Sequence, residues 1–243
     1  MAEYLHFRGA VAQAYAEGLS ARLFEPFGRD LGSKVGKEEE VLELAAGSGA
    51  VTRFLPSNTL VTDLYADMLV HNPFGRERVV MDAEAISLRD ASVDVVACGF
   101  GLMFMDLERA YPQIWRVLRP GGRLLATVWL PLEAQSFNRV ANGWRPMFYK
   151  PFVYGDPAVI EADLRKAGFD PIHLTELVHE VSFDTCEDAA RAFIGANAGM
   201  LNELGNEAEA GIAELAAHFQ QLGASPCVGT MRAWLIEAIR PTT

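Results

Sequence analysis

The sequence predicts an α/β fold in which a parallel sheet is covered by helices on both faces. Apolar runs of strand length alternate with helical segments over the first 130 residues. The first such run leads into a turn of small residues, and the second ends on an acid. Alternation of this kind is typical of parallel sheets, because each parallel connection needs a crossover that lies on one face.

Five strands are predicted in this part of the chain, with helices around them. The strands cover 41–45, 59–64, 78–82, 92–100 and 123–130. A helix is predicted over about the first 30 residues, where an apolar residue recurs every four positions until Pro26 and Gly28. Another is expected near 49–55. Asp106 is expected to cap a third, which ends at the turn 119–122.

The second half of the chain is expected to add helices, an extended segment and a last strand. Residues 131–153 show no regular pattern. A helix capped by Asp156 comes next, followed by an extended segment over 172–183. Two helices, the first capped by Thr185, then precede a final strand over 229–240.

The composition argues against several classes of partner. The 243 residues carry a net charge of -11 and show no basic stripe, so we expect no nucleic-acid partner. No apolar run approaches the roughly 20 residues of a membrane span, and the N-terminus does not resemble a signal peptide. Three widely spaced cysteines provide neither a disulfide framework nor a metal site. We therefore expect a cytoplasmic protein without a metal, whose oligomeric state stays open.

The turn after the first strand indicates a ligand site. Small residues in ELAAGSGAVT allow a sharp turn and let a ligand approach the backbone closely. Asp63 ends the second strand, twenty positions after Glu43. In an open parallel sheet, ligands bind at the edge where these strands end. A carboxylate there can accept hydrogen bonds from both hydroxyls of a ribose, which indicates a cofactor that contains a nucleoside.

The glycine pattern alone leaves the cofactor open. A dinucleotide fingerprint has three glycines as G-x-G-x-x-G, and the matching frame from Ala45 to Ala50 has one of them. A phosphate-binding P-loop needs a Lys that is absent from this turn. A strand-to-helix turn without any ligand is a further alternative.

The order of several motifs resembles that of the class I S-adenosylmethionine-dependent methyltransferases. The resemblance is carried within residues 41–129 by VLELAAGSGAVTRFL, VTDLYADML, VVMDAEAISLRDASVDVVACGFGLMFMD and RVLRPGG. It is strongest to the small-molecule branch of the ubiquinone/menaquinone-biosynthesis type. The family implies a Rossmann-like, doubly wound sheet of seven strands, mostly parallel with an antiparallel last strand. It also implies a single domain over 1–243, with an N-terminal helical lid at 1–30 and a helical insertion at 184–223.

The resemblance implies S-adenosylmethionine as the cofactor and S-adenosylhomocysteine as its product. The family's E/D-x-G-x-G-x-G turn, which holds the methionine part, falls on Glu43, Ala45, Gly47 and Gly49. The chain departs from that pattern at Ala45, whose methyl group we expect to be tolerated at a negative φ. Asp63 matches the acid that binds the ribose.

Further cofactor contacts are implied along the same edge. Leu64 and Met68 match positions that line the adenine, although apolar residues at such junctions are also explained as core. Asp82 and Ala83 match a pair that meets the adenine amino group and ring. Gly99 matches a main-chain contact to the methionine amino group.

Methyl transfer from a sulfonium depends mainly on alignment of the reacting atoms and on exclusion of water. A general base helps when the acceptor must lose a proton. The five histidines are scattered through the sequence and form no clear base. His6, next to the expected lid, is the one weak candidate, and the catalytic residues are otherwise unknown.

The acceptor pocket is expected above the cofactor, between the N-terminal helix and the segments after the fourth and fifth strands. Its candidate lining residues are apolar or aromatic: Tyr15, Phe100, Met103, Phe104, Trp129 and Trp144. Such a wall fits a small, largely apolar or aromatic metabolite, although core packing also explains each residue. An aromatic cage for a cationic acceptor stays open.

The function that these features favour is methyl transfer to a small molecule by in-line displacement. Two alternatives stay open. One is a cofactor-bound enzyme that promotes cyclisation or rearrangement without methylation. The other is a non-enzymatic binding protein on the same fold. A nicotinamide oxidoreductase is disfavoured by the missing glycines.

Overall fold

A seven-stranded mixed sheet forms the centre of the molecule. The computed structural model describes residues 8–74, 77–146 and 148–242. Within these residues the strands are β1 Val41–Glu43, β2 Leu60–Asp63, β3 Glu77–Val80, β4 Val93–Gly99, β5 Leu118–Trp129, β6 Ile172–Phe183 and β7 Cys227–Ile239. They lie in the order β3-β2-β1-β4-β5-β7-β6. β7 is antiparallel to both of its neighbours, and the other adjacent pairs are parallel. This architecture confirms the predicted doubly wound sheet with an antiparallel last strand.

Helices precede the sheet, connect its strands and form a group between β6 and β7. The first begins as α1, Gly9–Ala14, continues as a π-helix over Tyr15–Phe24 and becomes α2, Glu25–Gly32. The other α-helices are α3 Ala66–Val70, α4 Leu107–Val117, α5 Ser136–Trp144, α6 Pro157–Lys166, α7 Cys186–Gly195, α8 Ala198–Leu204 and α9 Ala208–Phe219. Among the residues described, no helix combines the length and the apolar character that crossing a bilayer requires.

Strand β4 shows that the sheet is covered on both faces. Val96 and Cys98 belong to a hydrophobic cluster that includes α4, while Val95 and Ala97 belong to one that includes α2. All four residues are fully buried. Because successive side chains of a strand point to opposite faces, a continuous apolar run is buried only between two layers. The buried apolar run of β4 therefore agrees with its central place in the sheet.

Three predicted helix caps are confirmed. Asp106 and Asp156 each accept a hydrogen bond from the backbone N–H two residues further on, at 3.1 and 2.9 Å. Thr185 and Asp188 form a reciprocal capping box at the start of α7. Each cap satisfies a backbone donor that the helix itself leaves without a partner.

Two predicted helix boundaries were wrong. Pro26 does not end the N-terminal helix, because it lies in the first turn of α2, where its missing N–H costs no hydrogen bond. The helix therefore continues through Gly28. The helix expected near 49–55 is reduced to one 3₁₀ turn, Thr52–Phe54, since Pro56 follows and cannot continue a helix.

Two other segments are more regular than their sequence suggested. α5 lies in the stretch where no pattern was recognised, although its buried apolar residues Phe137, Val140 and Ala141 follow helical spacing. The turn expected at 119–122 is an irregular start of β5. Leu118 already pairs with Val93 there, before the register shifts.

Candidate active site

The turn after β1 passes three times through the left-handed backbone region. φ is +51° at Ala45, +57° at Gly47 and +95° at Gly49. The negative φ at which a methyl group at Ala45 was expected to be tolerated is therefore not found. A residue with a side chain costs about 1–2 kcal/mol in this region, whereas glycine adopts it freely. Ala45 thus carries backbone strain inside the turn.

The two glycines of the turn differ in what surrounds them. A Cβ added at Gly47 would meet Met68 Cε at 3.3 Å and no other described atom within 4 Å. A Cβ added at Gly49 would lie 2.5 Å from Oδ1 of Asn72, which is fully buried. The backbone at Gly47 is therefore open to a ligand. A glycine is needed at position 49, because any side chain there would collide with the fixed side chain of Asn72.

Asp63, at the end of β2, is hydrogen-bonded to the turn after β1. Its Oδ2 accepts a hydrogen bond from Gly47 N at 2.9 Å, and its Oδ1 accepts one from Tyr65 N at 2.8 Å. The residue is 7% exposed. Burial raises the pKa of this carboxyl, and the backbone N–H donors oppose that shift. Leu64 N is a third backbone donor, so about one of the four lone-pair sites of the carboxylate stays available for a ligand hydroxyl.

Glu43, at the end of β1, is buried in a small polar network. Its Oε2 accepts from the Thr52 hydroxyl at 2.7 Å, and that hydroxyl accepts from Asn72 Nδ2 at 2.9 Å. Oε1 is buried without a partner among the described residues. Burial, opposed by the Thr52 hydrogen bond, raises the pKa of Glu43 from its ordinary 4.5 to about 8. The site therefore contains a carboxyl group whose pKa is displaced toward the neutral range.

The other residues proposed for the cofactor lie where β2, β3 and β4 end. Leu64 is 47% exposed, whereas Met68 is buried under the turn. Asp82 follows β3, and its Oδ1 accepts from Glu84 N at 2.8 Å. Ala83 is buried, and Gly99 is the last residue of β4.

These positions share one edge of the sheet because β1 pairs in parallel with both β2 and β4. The strand order reverses between β1 and β4, which is where open α/β sheets bind ligands. The open backbone at Gly47 and the unpartnered Oε1 of Glu43 fit a ligand that brings hydrogen-bonding groups to this edge.

A cavity of about 500 Å³ opens beside this edge. It is called the aromatic cavity below. Four of the six predicted acceptor residues line it: Tyr15, Phe100, Phe104 and Trp129. The π-helix contributes one wall, and the segment that connects α7 with α8 contributes another.

Stacked rings form the inner part of the aromatic cavity. Phe100 and Trp129 stack with centroids 3.9 Å apart, and Phe24 lies edge-on to Phe100 at 5.2 Å. Phe100 has φ +59°, a conformation that is strained for an aromatic residue. Tyr15 packs on Phe24, and burial raises the pKa of its phenol, with the nearby charge of Asp63 as a second cause.

Two of the six predicted acceptor residues are not among the residues that line the cavity. Trp144 lies on α5, where its Nε1 donates to Glu214 on α9 at 3.2 Å. Met103 is partly buried between two hydrophobic clusters. His6 lies outside the described residues. The prediction failed for Trp144 because its position on α5 turns it toward α9.

Sequence reasoning missed several lining residues. Asn138 on α5 and Phe193 on α7 both face the aromatic cavity. Neither belongs to a motif, and each reaches the cavity through packing of distant segments. The helical spacing of α5 was the one signal that pointed to Asn138.

The comparison with family models identifies residues 42–126 as a methyltransferase domain. This range contains the turn after β1, Asp63 and the end of β4. The matched range therefore contains the strand ends at which the cofactor is predicted to bind.

Curated relatives agree with this match. The chain is 32% identical over 189 residues to the ubiquinone/menaquinone biosynthesis C-methyltransferase UbiE of Citrobacter koseri, covering 62% of this chain and 74% of that protein. It is 31% identical over 148 residues to the malonyl-[acyl-carrier protein] O-methyltransferase of Methylococcus capsulatus, covering 55% and 53%. The first four curated relatives show the limit of the likeness, because this chain matches only 40%, 53%, 46% and 47% of their length. The chain thus spans about half of those proteins.

Solved structures share the fold. The phosphoethanolamine N-methyltransferase 2 of Haemonchus contortus, in complex with S-adenosyl-L-methionine, has a TM-score of 0.60 at 16% identity. The match covers 95% of this chain and 56% of that one.

Family membership rests on the relative that is 32% identical over 74% of its length. S-adenosylmethionine is the cofactor of the family that these matches identify. The chain belongs to the class I S-adenosylmethionine-dependent methyltransferases.

Proposed function

We propose that this chain transfers a methyl group from S-adenosylmethionine to a small, largely apolar molecule bound in the aromatic cavity. The adjacency of Gly99 and Phe100 carries the proposal. Gly99 ends β4 at the proposed cofactor edge, and Phe100, the next residue, lines the cavity. One peptide unit therefore joins the two sites, so ligands in both would lie in contact.

Each end of the cofactor has a candidate partner. Asp63 would accept hydrogen bonds from the ribose hydroxyls, and the open backbone at Gly47 would receive the methionine part together with Glu43 and Gly49. Leu64, Met68, Asp82 and Ala83 would surround the adenine. Support comes from their common edge and from the unpartnered Oε1 of Glu43.

When bound, S-adenosylmethionine supplies an electrophilic methyl carbon on a sulfonium. The chain would contribute orientation and a dry environment, since Phe100, Trp129 and Phe24 form a wall of packed rings. Tyr15 would stay neutral, because burial raises the pKa of its phenol. It would then orient the acceptor by hydrogen bonding without removing a proton.

We also propose that helical segments close the acceptor side within a single domain over 1–243. The segment 1–30, described from residue 8, and the insertion 184–223 would act as the lid. They pack closely: a Cβ added at Gly18 would lie 3.1 Å from Ala192 Cβ, and one added at Gly195 would lie 3.2 Å from Ala14 Cβ.

Calorimetry with S-adenosylmethionine and S-adenosylhomocysteine tests the cofactor site first. A panel of small aromatic and aliphatic hydroxy and amino compounds then tests the acceptor site, with products read by mass. A gain of one methylene unit in a product, with formation of S-adenosylhomocysteine, is the expected result. A product of unchanged mass would indicate rearrangement instead, and absence of cofactor binding by folded protein would contradict the proposal.

A further inference from the structure

The side chain of Asn138 places a buried polar group in the wall of the aromatic cavity. It lies on α5, lines the cavity and is 8% exposed. Its Oδ1 is buried, and no described residue donates a hydrogen bond to it. Buried polar atoms in folded proteins nearly always have a partner. The residue that carries this unpaired oxygen borders the cavity, which makes a molecule bound there a candidate donor.

Neighbouring amides show that the fold can satisfy such groups. Gln135, three residues earlier and fully buried, donates to Leu130 O at 2.9 Å and to Arg232 O at 2.8 Å. Its Oε1 accepts from Arg232 N at 3.0 Å. Asn197, also in the cavity wall, accepts from Met200 N at 3.0 Å as a helix cap. Asn138 differs from both because no described residue donates a hydrogen bond to its side-chain oxygen.

The surroundings indicate which class of molecule would supply the donor. Phe148, Phe152 and Phe193 line the same cavity as Asn138. Glu203 also lines it, but its carboxylate pairs with Arg145. A mostly apolar body with one hydroxyl or N–H group matches an aromatic wall in which, among the described lining residues, Asn138 has the one amide oxygen without a partner.

We infer that Asn138 is a specificity-determining residue whose Oδ1 accepts a hydrogen bond from a hydroxyl or N–H group of the methyl acceptor. The inference rests on the proposed function, since it assumes that the acceptor binds in the aromatic cavity. It narrows the acceptor to apolar or aromatic alcohols, phenols and amines. Apolar molecules without a donor would leave the oxygen unpaired and bind less well.

Two probes of nearly the same shape test this inference. 2-Naphthol carries a donor, and 2-methoxynaphthalene has the same rings without one. Both are titrated with and without S-adenosylhomocysteine, which prevents turnover. The wild-type protein should prefer 2-naphthol by about five- to tenfold, the effect of one neutral hydrogen bond to a buried acceptor. In Asn138→Leu this preference should vanish, while 2-methoxynaphthalene binding is retained.

A matched control lies one helical turn away. Asn142 also has a buried Oδ1 without a described partner, but it is not among the residues that line the cavity. Asn142→Leu should keep the wild-type preference for 2-naphthol. Both variants should melt at a higher temperature than the wild type without ligand, because each removes an unpaired buried oxygen.

The inference is wrong if the wild type binds both probes equally, or if Asn138→Leu keeps the preference. It is also wrong if neither probe binds. Binding of S-adenosylhomocysteine is measured separately and decides the proposed function. If the wild type does not bind S-adenosylhomocysteine but still prefers 2-naphthol to 2-methoxynaphthalene, the result would contradict methyl transfer and support the Asn138 contact.

Discussion

The backbone N–H of Gly47 donates to Oδ2 of Asp63 at 2.9 Å, which joins the turn after β1 to the end of β2. Asp63 therefore has two roles to separate, one in shaping the turn and one proposed in binding ribose. The same carboxylate also accepts from Tyr65 N at 2.8 Å. A substitution that keeps one acceptor oxygen distinguishes the two roles better than truncation.

Asp63→Asn should weaken binding of S-adenosylhomocysteine about ten- to a hundredfold, because hydrogen bonds to a charged group are worth about 1.5–3 kcal/mol. Calorimetry measures the affinity, and circular dichroism checks the fold. Asp106→Ala is the control, since it removes the α4 cap and should cost about 1 kcal/mol of stability without changing the affinity. Unchanged affinity in Asp63→Asn would contradict the ribose contact.

Alanine at the two glycines of the turn should have unequal effects. Gly47→Ala should cost about 1–2 kcal/mol, the penalty for a left-handed backbone, since Met68 Cε is the end of a flexible side chain. Gly49→Ala should cost about 3 kcal/mol or more, because its Cβ also collides with the fixed Asn72. Urea unfolding measures both free energies. Equal costs would show that Asn72 is free to move aside.

The stability of the protein should depend on pH through Glu43. Its folded-state pKa of about 8 lies above its ordinary value of 4.5, so the folded state binds a proton more tightly than the unfolded state. The resulting stabilisation is full below about pH 4.5 and is lost as pH rises to about 8. Glu43→Gln cannot titrate and keeps an oxygen that can accept from Thr52.

Unfolding free energies of the wild type and Glu43→Gln, measured from pH 5 to 8.5, test this expectation. The wild type should lose about 2 kcal/mol or more relative to the variant over that range, since one pKa unit corresponds to about 1.4 kcal/mol. Parallel curves for the two proteins would mean that Glu43 is ionised in the folded state at neutral pH.

A large side chain that fills the aromatic cavity should weaken binding of the acceptor without changing the affinity for the cofactor. Ala198, the first residue of α8, lines the cavity. Ala198→Phe should weaken 2-methoxynaphthalene binding about tenfold or more, because the added ring overlaps the ligand volume. S-adenosylhomocysteine affinity, measured on the same sample, should stay constant. Ala213→Phe, on the exposed face of α9, is the control and should leave both affinities unchanged.

Most of the fold could be predicted because its signals are local. The apolar run of β4, the cap at Asp106 and the capping box at Thr185 depend on residues within one element. The errors occurred where context overrides a local signal. Pro26 is a helix breaker in most positions, yet it is compatible with the first turn of α2.

The candidate site likewise has features that the sequence predicts and features that only packing decides. The positions of Asp63 and Gly99 follow from strand ends, which the sequence marks by where its apolar runs stop. No local sequence pattern predicts the +51° φ of Ala45 or the raised pKa of Glu43. Backbone strain and desolvation depend on what the completed turn packs against, and Thr52 and Asn72 meet Glu43 only after folding.

The amino-acid sequence was sufficient for the class of fold, the family and the edge of the sheet where a cofactor would bind, because periodicity, caps and motif spacing are properties of neighbouring residues. The shape of the aromatic cavity and the unpartnered oxygen of Asn138 emerged from the three-dimensional arrangement. Asn138 and Phe193 lie on helices that are far apart in the chain, and whether a polar atom keeps a partner depends on which distant segments exclude water from it.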